Sequence, residues 1–449
     1  MSVKGIYSKR CWLGGKLQEA TVFFSEGIIT NIIKGAGEIN ENIKDAGDCV
    51  LMPGVIDAHV HVNEPGRSDW EGFETATTAA AAGGITTIID MPLNASPVTT
   101  TVEALQEKLA ATSGKMHVNG GFYGGLVPGN FSELPGLIEG GVLGIKAFLT
   151  HSGIDEFPNV GERELSEAMP LLAEHGIPLL THCELSDAYH EQALLQNPTS
   201  YAAYLSSRPK DWEDKAVDLM IGLCRKYHCP VHIVHVSSAN ALASIEKAKA
   251  EGLPMTAETC PHYIYFNAED IPDAQTIYKC APPIREASNN EQLSEALSKG
   301  VLNFLASDHS PAPPAIKELE TGNLQKAWGG IAGLQVLLPA SWSALKDKVS
   351  LEAFIPLLTS QPAAFLGVAN KKGTISIGAD ADLTVWSPEE PFRLTAETLL
   401  HRHKISPYTD RQLWGKVYQT YVNGELVFDH QHKLVQKNCG KWLLRKWQR

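Results

Sequence analysis

The stretch that decides the fold is VIDAHVH at residues 55–61. Its apolar and β-branched residues predict a buried β-strand. Because side chains two apart on a strand point to the same face, His59 and His61 can both reach one metal ion from the strand's end. A lone histidine at a strand end is more often a hydrogen-bonded core residue. The metal interpretation therefore depends on whether further ligands follow other strands.

The middle of the chain repeats an apolar strand followed by a stretch that is long enough for a helix. This alternation predicts the α/β class, with a parallel sheet that is covered on both faces. Eight such units predict a (β/α)8 TIM barrel with its chemistry at the C-terminal ends of the strands. The predicted strands are Val55–Val62, Ile85–Pro92, Val118–Gly125, Val142–Leu149, Pro178–Cys183, Val231–Val236, Met255–Thr259 and Val301–Ala306.

The two ends of the chain have a different pattern, in which short alternating strands are broken by glycine turns. Asn423-Gly424 between apolar runs is a hairpin signal near the C-terminal end. Neither end has enough strands to be stable alone. We therefore predict that residues 1–52 and 372–449 pair as a small composite β-sandwich domain, and that residues 53–371 form the barrel.

The bulk composition excludes several classes of protein. Of 449 residues, 43% are hydrophobic and 20% are charged, which is typical of a soluble globular protein. The net charge of -13 argues against binding to nucleic acid or to an anionic membrane. The short basic tail Lys441–Arg449 does not change this, and we expect it to be solvated or to lie between subunits. Without an apolar leader or a CxxC pair among eight cysteines, a reducing cytoplasm is expected.

Further polar side chains lie at the ends of other predicted strands. His182 lies in the fifth strand, His235 in the sixth, and Asp308 follows the eighth. In a barrel these positions surround one axis, together with the first histidine pair. A chance coincidence of so many ligands is implausible. Imidazoles and a carboxylate suit zinc and other first-row divalent ions.

Lys146 is a charged residue within the apolar fourth strand, where an ammonium group is costly. One interpretation is a neutral amine that reacts with carbon dioxide to give a carbamate, whose two oxygens could bridge two metal ions. The other is a lysine that extends to the barrel mouth or pairs with Asp308. Spacing alone leaves both interpretations open.

These residues resemble the cyclic amidohydrolase branch of the amidohydrolase superfamily, which includes dihydroorotases, hydantoinases or dihydropyrimidinases, and allantoinases. The resemblance covers nearly the whole chain. It implies two divalent ions per subunit, with zinc first and cobalt, manganese, iron or nickel as alternatives. By the resemblance, one ion is held by His59, His61 and Asp308, the other by His182 and His235, and a carboxylated Lys146 bridges both.

Within this branch, the run NEPGRSDWEGF at residues 63–73 is most similar to the allantoinases. Dihydroorotases have an arginine at the position of Asn63, and that arginine binds the carboxylate of their substrate. Allantoin is neutral and has no carboxylate. Hydantoinases have a tyrosine soon after the strand-four lysine, where this chain has HSGI at residues 151–154. WGGIAGLQ at residues 328–335 is also similar to allantoinases, although Gln335 stands where relatives often have glutamate. The resemblance implies allantoin as the substrate, with other cyclic amides as the hydantoinase alternative.

The same resemblance implies roles for individual residues near the substrate. Asp308 would be the catalytic proton shuttle. Asn94 would contact the substrate, although an Asx-turn explains it as well. Asn63, the main chain at Ala281, and His309 are further candidate contacts, and a purely structural role is nearly as plausible for His309.

Loops, subunit assembly and the remaining histidines and cysteines complete the set of expectations. The loops at residues 63–73 and 151–160 could close over the substrate. The resemblance also implies a homotetramer, and it leaves a non-catalytic scaffold as a rival that usually loses its metal ligands. Structural or surface roles are expected for His151, His232 and His262, and core packing for Cys183 and Cys260.

Overall fold

Three hydrogen-bonded sheets organise the chain. The structure, a computed structural model, describes residues 4–36 and 42–445. Its strands are, in chain order, β1 (Lys4–Leu13), β2 (Lys16–Ser25), β3 (Ile28–Lys34), β4 (Ile43–Asp45), β5 (Val50–Pro53), β6 (Val55–Val60), β7 (Ile85–Asp90), β8 (Asn119–Phe122), β9 (Gly124–Gly125), β10 (Ile145–Phe148), β11 (Leu179–His182), β12 (Val231–Ile233), β13 (Met255–Thr259), β14 (Phe304–Leu305), β15 (Leu383–Arg393), β16 (Gln412–Val422), β17 (Glu425–Asp429) and β18 (Lys433–Leu434).

Helices follow most of the barrel strands. They are α1 (Phe73–Ala82), α2 (Val102–Ala111), α3 (Leu134–Glu139), α4 (Glu162–Glu174), α5 (Ala188–Gln196), α6 (Tyr201–Ser207), α7 (Lys210–Tyr227), α8 (Leu242–Ala250), α9 (Pro261–Tyr265), α10 (Ala287–Ser298), α11 (Leu337–Leu345), α12 (Leu351–Phe354) and α13 (Ser360–Phe365). Among the described residues, none of these helices combines the length and the hydropathy needed to cross a bilayer.

The barrel is confirmed, and each predicted strand has a counterpart in it. β6 to β8 form one parallel sheet and β9 to β14 form another. Main-chain bonds join the two sheets on one side, where Leu143 N–H donates to Phe122 O over 2.9 Å. On the other side a bridge between Val60 and His309 joins β6 to the segment after β14. The third predicted strand is divided at Tyr123, between β8 and β9, which the sequence pattern did not indicate.

The composite β-sandwich domain is also confirmed. Strands from both ends of the chain form one nine-stranded sheet, in which β5 pairs with β1 on one side and with β15 on the other. Three strands separate β2 from β16 in this sheet, yet the rings of Phe24 and Tyr421 lie 6.1 Å apart. The sheet therefore folds back on itself and encloses its own apolar core.

A buried polar network connects the sandwich to the barrel. Lys372 Nζ lies 2.5 Å from Asp382 Oδ2, which also accepts from Asn119 Nδ2 over 2.9 Å. The Thr384 hydroxyl donates to the Gly84 carbonyl over 2.7 Å. The chain changes sheet at Gly54, next to the expected limit of the N-terminal part. The domain limits themselves stay predictions.

The C-terminal segment lies along the barrel instead of extending into solvent. Gly120 N–H donates to Lys441 O over 3.0 Å, and Leu443 N–H donates to Gly120 O over 2.8 Å. Arg445 N–H donates to the Gly141 carbonyl over 2.9 Å. The main chain of residues 441–443 thus pairs with the edge of β8, while the side chains of Lys441 and Trp442 are exposed. The expectation that the tail is solvated or lies between subunits stays a prediction. Lys446 and Arg449 lie outside the described residues.

The tail makes a steric prediction at Gly440. A Cβ atom at this position would lie 1.9 Å from the Val118 carbonyl oxygen, so the main chain would have to move. We expect Gly440→Ala to cost about 1–3 kcal/mol of unfolding free energy and to lower the melting temperature. Gly222→Ala is the control, since a Cβ there meets nothing within 4 Å and alanine favours α7. Equal melting temperatures for the two variants would contradict the packing of the tail.

Candidate metal centre

The C-terminal ends of the barrel strands bring together all six predicted ligands, and all are buried. Nε2 of His59 lies 3.2 Å from Asp308 Oδ1, and Nε2 of His61 lies 3.4 Å from the same oxygen. His182 Nδ1 lies 3.0 Å from His235 Nε2. His59 lies at the end of β6 and His61 just after it, while His182 ends β11. The segments after β12 and β14 carry His235 and Asp308, and Lys146 lies within β10. The barrel thus brings together side chains that are far apart in the sequence: His59 and Asp308 are separated by 249 positions.

Unusual backbone angles mark the same positions. Asn63, Asn94, His235 and Asp308 have φ angles of 66°, 69°, 40° and 44°. The left-handed region is uncommon for residues other than glycine, and it is most readily adopted by asparagine and aspartate. Such conformations cost free energy and cluster at functional sites. These four residues follow four different barrel strands, and their backbone angles set the direction of their side chains at one end of the barrel.

The side chain of Lys146 is fully buried in β10. Its Nζ lies 4.9 Å from the centroid of the Phe148 ring and has no hydrogen-bond partner among the described residues. Burial lowers the pKa of Lys146 to about 8. The alternative in which this lysine extends to the mouth or pairs with Asp308 is not what the structure has. A buried amine without a partner is the state that a covalent modification would relieve.

Two carboxylates orient the histidines from behind. Nδ1 of His59 lies 2.6 Å from Glu258 Oε1, and Nε2 of His182 lies 2.7 Å from Glu184 Oε2. Because a carboxylate accepts, these ring nitrogens donate, and the lone pair of the other nitrogen faces the cluster. Glu184 also pairs with Arg208. Burial raises the pKa of the Glu184 carboxyl, but the positive charge of Arg208 and the hydrogen bond from His182 lower it more, so the pKa is about 2.

The sequence analysis did not assign these two glutamates. Glu184 follows His182 by two positions, and Glu258 lies in β13 just before its last residue, Thr259. The period-two spacing of a strand was a usable signal for Glu184. Glu258 had no local signal, because its partner is 199 residues away.

The donor set fits divalent metal ions. Ligand atoms on a tetrahedral zinc with bonds of about 2.0 Å lie about 3.3 Å apart, which matches the spacings of 3.0–3.4 Å seen here. Nδ1 of His235 and Nζ of Lys146 are buried without hydrogen-bond partners in the described chain. One nitrogen of His59, one of His235 and one oxygen of Asp308 all lie within 4.8 Å of one another. Burial lowers the pKa of His59, His182 and His235, which keeps these imidazoles neutral and able to bind a metal.

A cavity of about 350 Å³ opens onto the cluster. Asn94 lines it, and its Nδ2 lies 3.4 Å from His61 Nδ1. Ala281 also lines it. Asn63 is outside this lining and directs its amide to the Pro311 carbonyl over 3.4 Å. His309 is fully buried behind the site, where Nε2 lies 3.4 Å from Glu71 Oε2 and Nδ1 accepts from two main-chain N–H groups.

Other lining residues were not singled out as candidates. Arg208 and Lys279 bring positive charge to the cavity, and the segment Gln325–Gly330 contributes six consecutive residues. Of the two predicted lid loops, His151, Ser152 and Gly153 line the cavity directly. Behind Asp308, a cysteine and a histidine that were expected to be structural, Cys260 and His262, each offer an atom within 4.8 Å of its carboxylate.

Comparison with known proteins identifies the family of this chain. The family described as Amidohydrolase family matches residues 50–427. An allantoinase of Arabidopsis thaliana is 42% identical, covering 97% of this chain and 90% of its own, and an allantoinase of Saccharomyces cerevisiae is 38% identical over 99% of both. Among solved structures, an L-hydantoinase (dihydropyrimidinase) from Arthrobacter aurescens superposes with a TM-score of 0.92 at 31% identity, covering 98% of this chain and 99% of its own. The chain belongs to the amidohydrolase family.

Proposed function

We propose that the protein is a metal-dependent allantoinase, a hydrolase that opens the cyclic amide of allantoin to give allantoate. The observation that carries this proposal is the set of six predicted ligands, all buried and five of them lining one small cavity, in a chain 42% identical to an allantoinase. A cavity of about 350 Å³ suits a single small heterocycle. A non-catalytic scaffold would have no need of the buried ligands or of the carboxylates that orient them.

Residues of this chain would hold two divalent ions. His59, His61 and Asp308 would bind one, and His182 and His235 the other. When bound, such ions lower the pKa of a water molecule and polarise the amide carbonyl. Zinc is our first choice, since imidazole and carboxylate donors at tetrahedral spacing suit it best.

Lys146 would join the two ion sites as a carbamate. Its neutral amine would attack carbon dioxide, forming an N–C bond and releasing one proton. The product is an anion with two oxygens, which balances positive charge at the centre of the cluster. The unpartnered Nζ of Lys146 supports this modification, because an unmodified ammonium would be left without any hydrogen bond there.

Asp308 is positioned to move the proton of the reaction. Its Oδ1 lies within 3.4 Å of two ligand histidines and so faces the point where water would attack. We assign it to accept the proton of that water and to deliver it to the departing ring nitrogen, because an unprotonated amide nitrogen is a very poor leaving group. Glu258 and Glu184 keep His59 and His182 in the tautomers that this geometry needs.

Substrate contacts are assigned by position in the cavity. We propose that Asn94 and the main chain at Ala281 orient the ring, since both line the cavity. We propose that Asn63 and His309 act from behind, by fixing the loop at Pro311 and the segment at Gly333. The cytoplasmic location and the homotetramer remain predictions, and the eight free cysteines are consistent with a reducing compartment.

The direct test is an assay of purified, metal-loaded protein on three cyclic amides: allantoin, hydantoin and dihydrouracil. We expect allantoate from allantoin, with kcat/KM well above that for the other two. The second candidate is a hydantoinase, which the likeness to the Arthrobacter enzyme favours. Faster hydrolysis of hydantoin than of allantoin would select that alternative.

The role of Lys146 predicts a metal-linked phenotype. Lys146→Ala should abolish turnover and reduce the bound metal, because it removes the anion that joins the two ion sites. A short-chain carboxylic acid added to this variant should restore part of both, since it can occupy the same space. Full metal content together with normal turnover in Lys146→Ala would refute the bridge.

The role of Asp308 predicts a different phenotype. Asp308→Asn should retain part of the metal, because the amide oxygen can still bind, while turnover falls by about 10²–10⁴-fold. Asp347→Asn, at an exposed position after α11 and outside the cavity lining, is the control and should be unaffected. Turnover of Asp308→Asn within a factor of a few of the unmodified protein would exclude Asp308 as the proton shuttle.

A further inference from the structure

One continuous segment, Gln325–Gly330, supplies more of the cavity lining than any other run of consecutive described residues. It has no helix or strand of its own. Three main-chain bonds hold it: Ala327 N–H donates to Asn323 O over 2.9 Å, Trp328 N–H donates to Ile316 O over 2.7 Å, and Gly330 N–H donates to Lys279 O over 2.8 Å. Loops of this kind are usually mobile unless other groups hold them. The side chain of Asn323 accepts from the N–H groups of Gln325 and Lys326, over 3.0 Å each, and two lysines bind the carbonyls of the segment.

The two ammonium groups bind the carbonyls of the segment from the protein side. Lys279 Nζ donates to Ala327 O over 2.6 Å and lies 3.4 Å from Gln325 O. Lys317 Nζ donates to Gly330 O and lies 3.3 Å from Trp328 O. Four of the six carbonyls in the segment thus face a lysine ammonium group.

Both lysines carry an energetic cost that packing alone does not explain. Burial lowers the pKa of Lys279 to about 7 and that of Lys317 to about 8. Within residues 4–36 and 42–445, neither ammonium group forms a salt bridge; their acceptors are neutral carbonyls. A cation removed from water without a counter-charge is unfavourable. An apolar side chain of the same length would fill the same space at lower cost.

Trp328 is the side chain that the segment presents to both predicted lid loops. Its ring lies 4.8 Å from that of Trp70 in an edge arrangement, which connects it to the loop at residues 63–73. A Cβ atom on Gly153 would lie 3.5 Å from the same indole, which connects it to the loop at residues 151–160. Trp328 therefore lies where the lining segment meets both predicted lid loops.

We propose that Lys279 and Lys317 are positioning residues that hold Trp328 as the specificity-determining residue for the substituent on the substrate ring. This inference rests on the proposed function, because allantoin carries a ureido group on the ring and hydantoin carries none. The scissile amide must lie at the metal ligands, so the substituent extends towards the rest of the lining. There the indole face offers apolar contact, and Gln325 offers a side-chain amide at an exposed position.

The test compares Lys317→Met, Lys279→Met and Trp328→Ala in metal-loaded protein, with allantoin and hydantoin as substrates. We expect the KM for allantoin to rise about five- to tenfold, kcat to change less than about twofold, and the KM for hydantoin to change less than about twofold. Metal content should not change. Lys317→Arg keeps a cationic donor and should recover most of the loss.

Lys249→Met is the matched control. Lys249 also donates to a main-chain carbonyl, Val301 O, over 2.6 Å, and burial lowers its pKa to about 8. It belongs to α8 and does not line the cavity. Its KM for allantoin should equal that of the unmodified protein. Hydrogen exchange gives a second readout without substrate: exchange in Gln325–Gly330 should increase in Lys317→Met and not in Lys249→Met.

The outcomes separate this inference from the proposed function. Equal changes in KM for allantoin and hydantoin, or unchanged hydrogen exchange of the segment in Lys317→Met, would overturn the positioning role and leave allantoin hydrolysis intact. If the unmodified protein did not hydrolyse allantoin, the proposed function would be refuted. The assignment of Trp328 to the ureido group would then be refuted as well.

Discussion

The site depends on one costly arrangement, the amine of Lys146 buried in the barrel without a hydrogen-bond partner among the described residues. A folded protein tolerates such a group only if something stabilises it in the active state. Four histidines and Asp308 surround the same region with metal-binding atoms. An anion formed on Lys146 and two cations held by its neighbours would stabilise each other. The predicted ligands, a modified lysine and two metal ions would therefore form one electrostatic unit.

Support for that unit comes from side chains that are not themselves predicted metal ligands. Glu258 and Glu184 fix the tautomers of two ligand histidines, and Arg208 neutralises Glu184. At the other side of the cavity, Lys279 and Lys317 hold the lining segment through its carbonyls. Ligand placement and substrate placement thus rely on two separate sets of buried polar contacts.

Sequence analysis identified the features that depend on local pattern. Apolar strands at regular spacing gave the barrel, and the ligands could be found because each lies at or near a strand end. The resemblance to a known family assigned their roles. What could not be found depends on distant partners: Glu258 meets His59 across 199 positions, and Lys317 bonds to carbonyls of an irregular segment. The division of the third strand at Tyr123 and the docking of the tail on β8 are likewise tertiary effects.

The central claim is that a carbamate on Lys146 joins two metal ions, and diffraction from crystals of metal-loaded protein, recorded at the absorption edge of the metal, tests it most directly. We expect two anomalous peaks, each about 2.0–2.2 Å from an oxygen carried by Lys146. A single peak would contradict the claim. So would an unmodified ammonium group paired with Asp308 in fully loaded crystals.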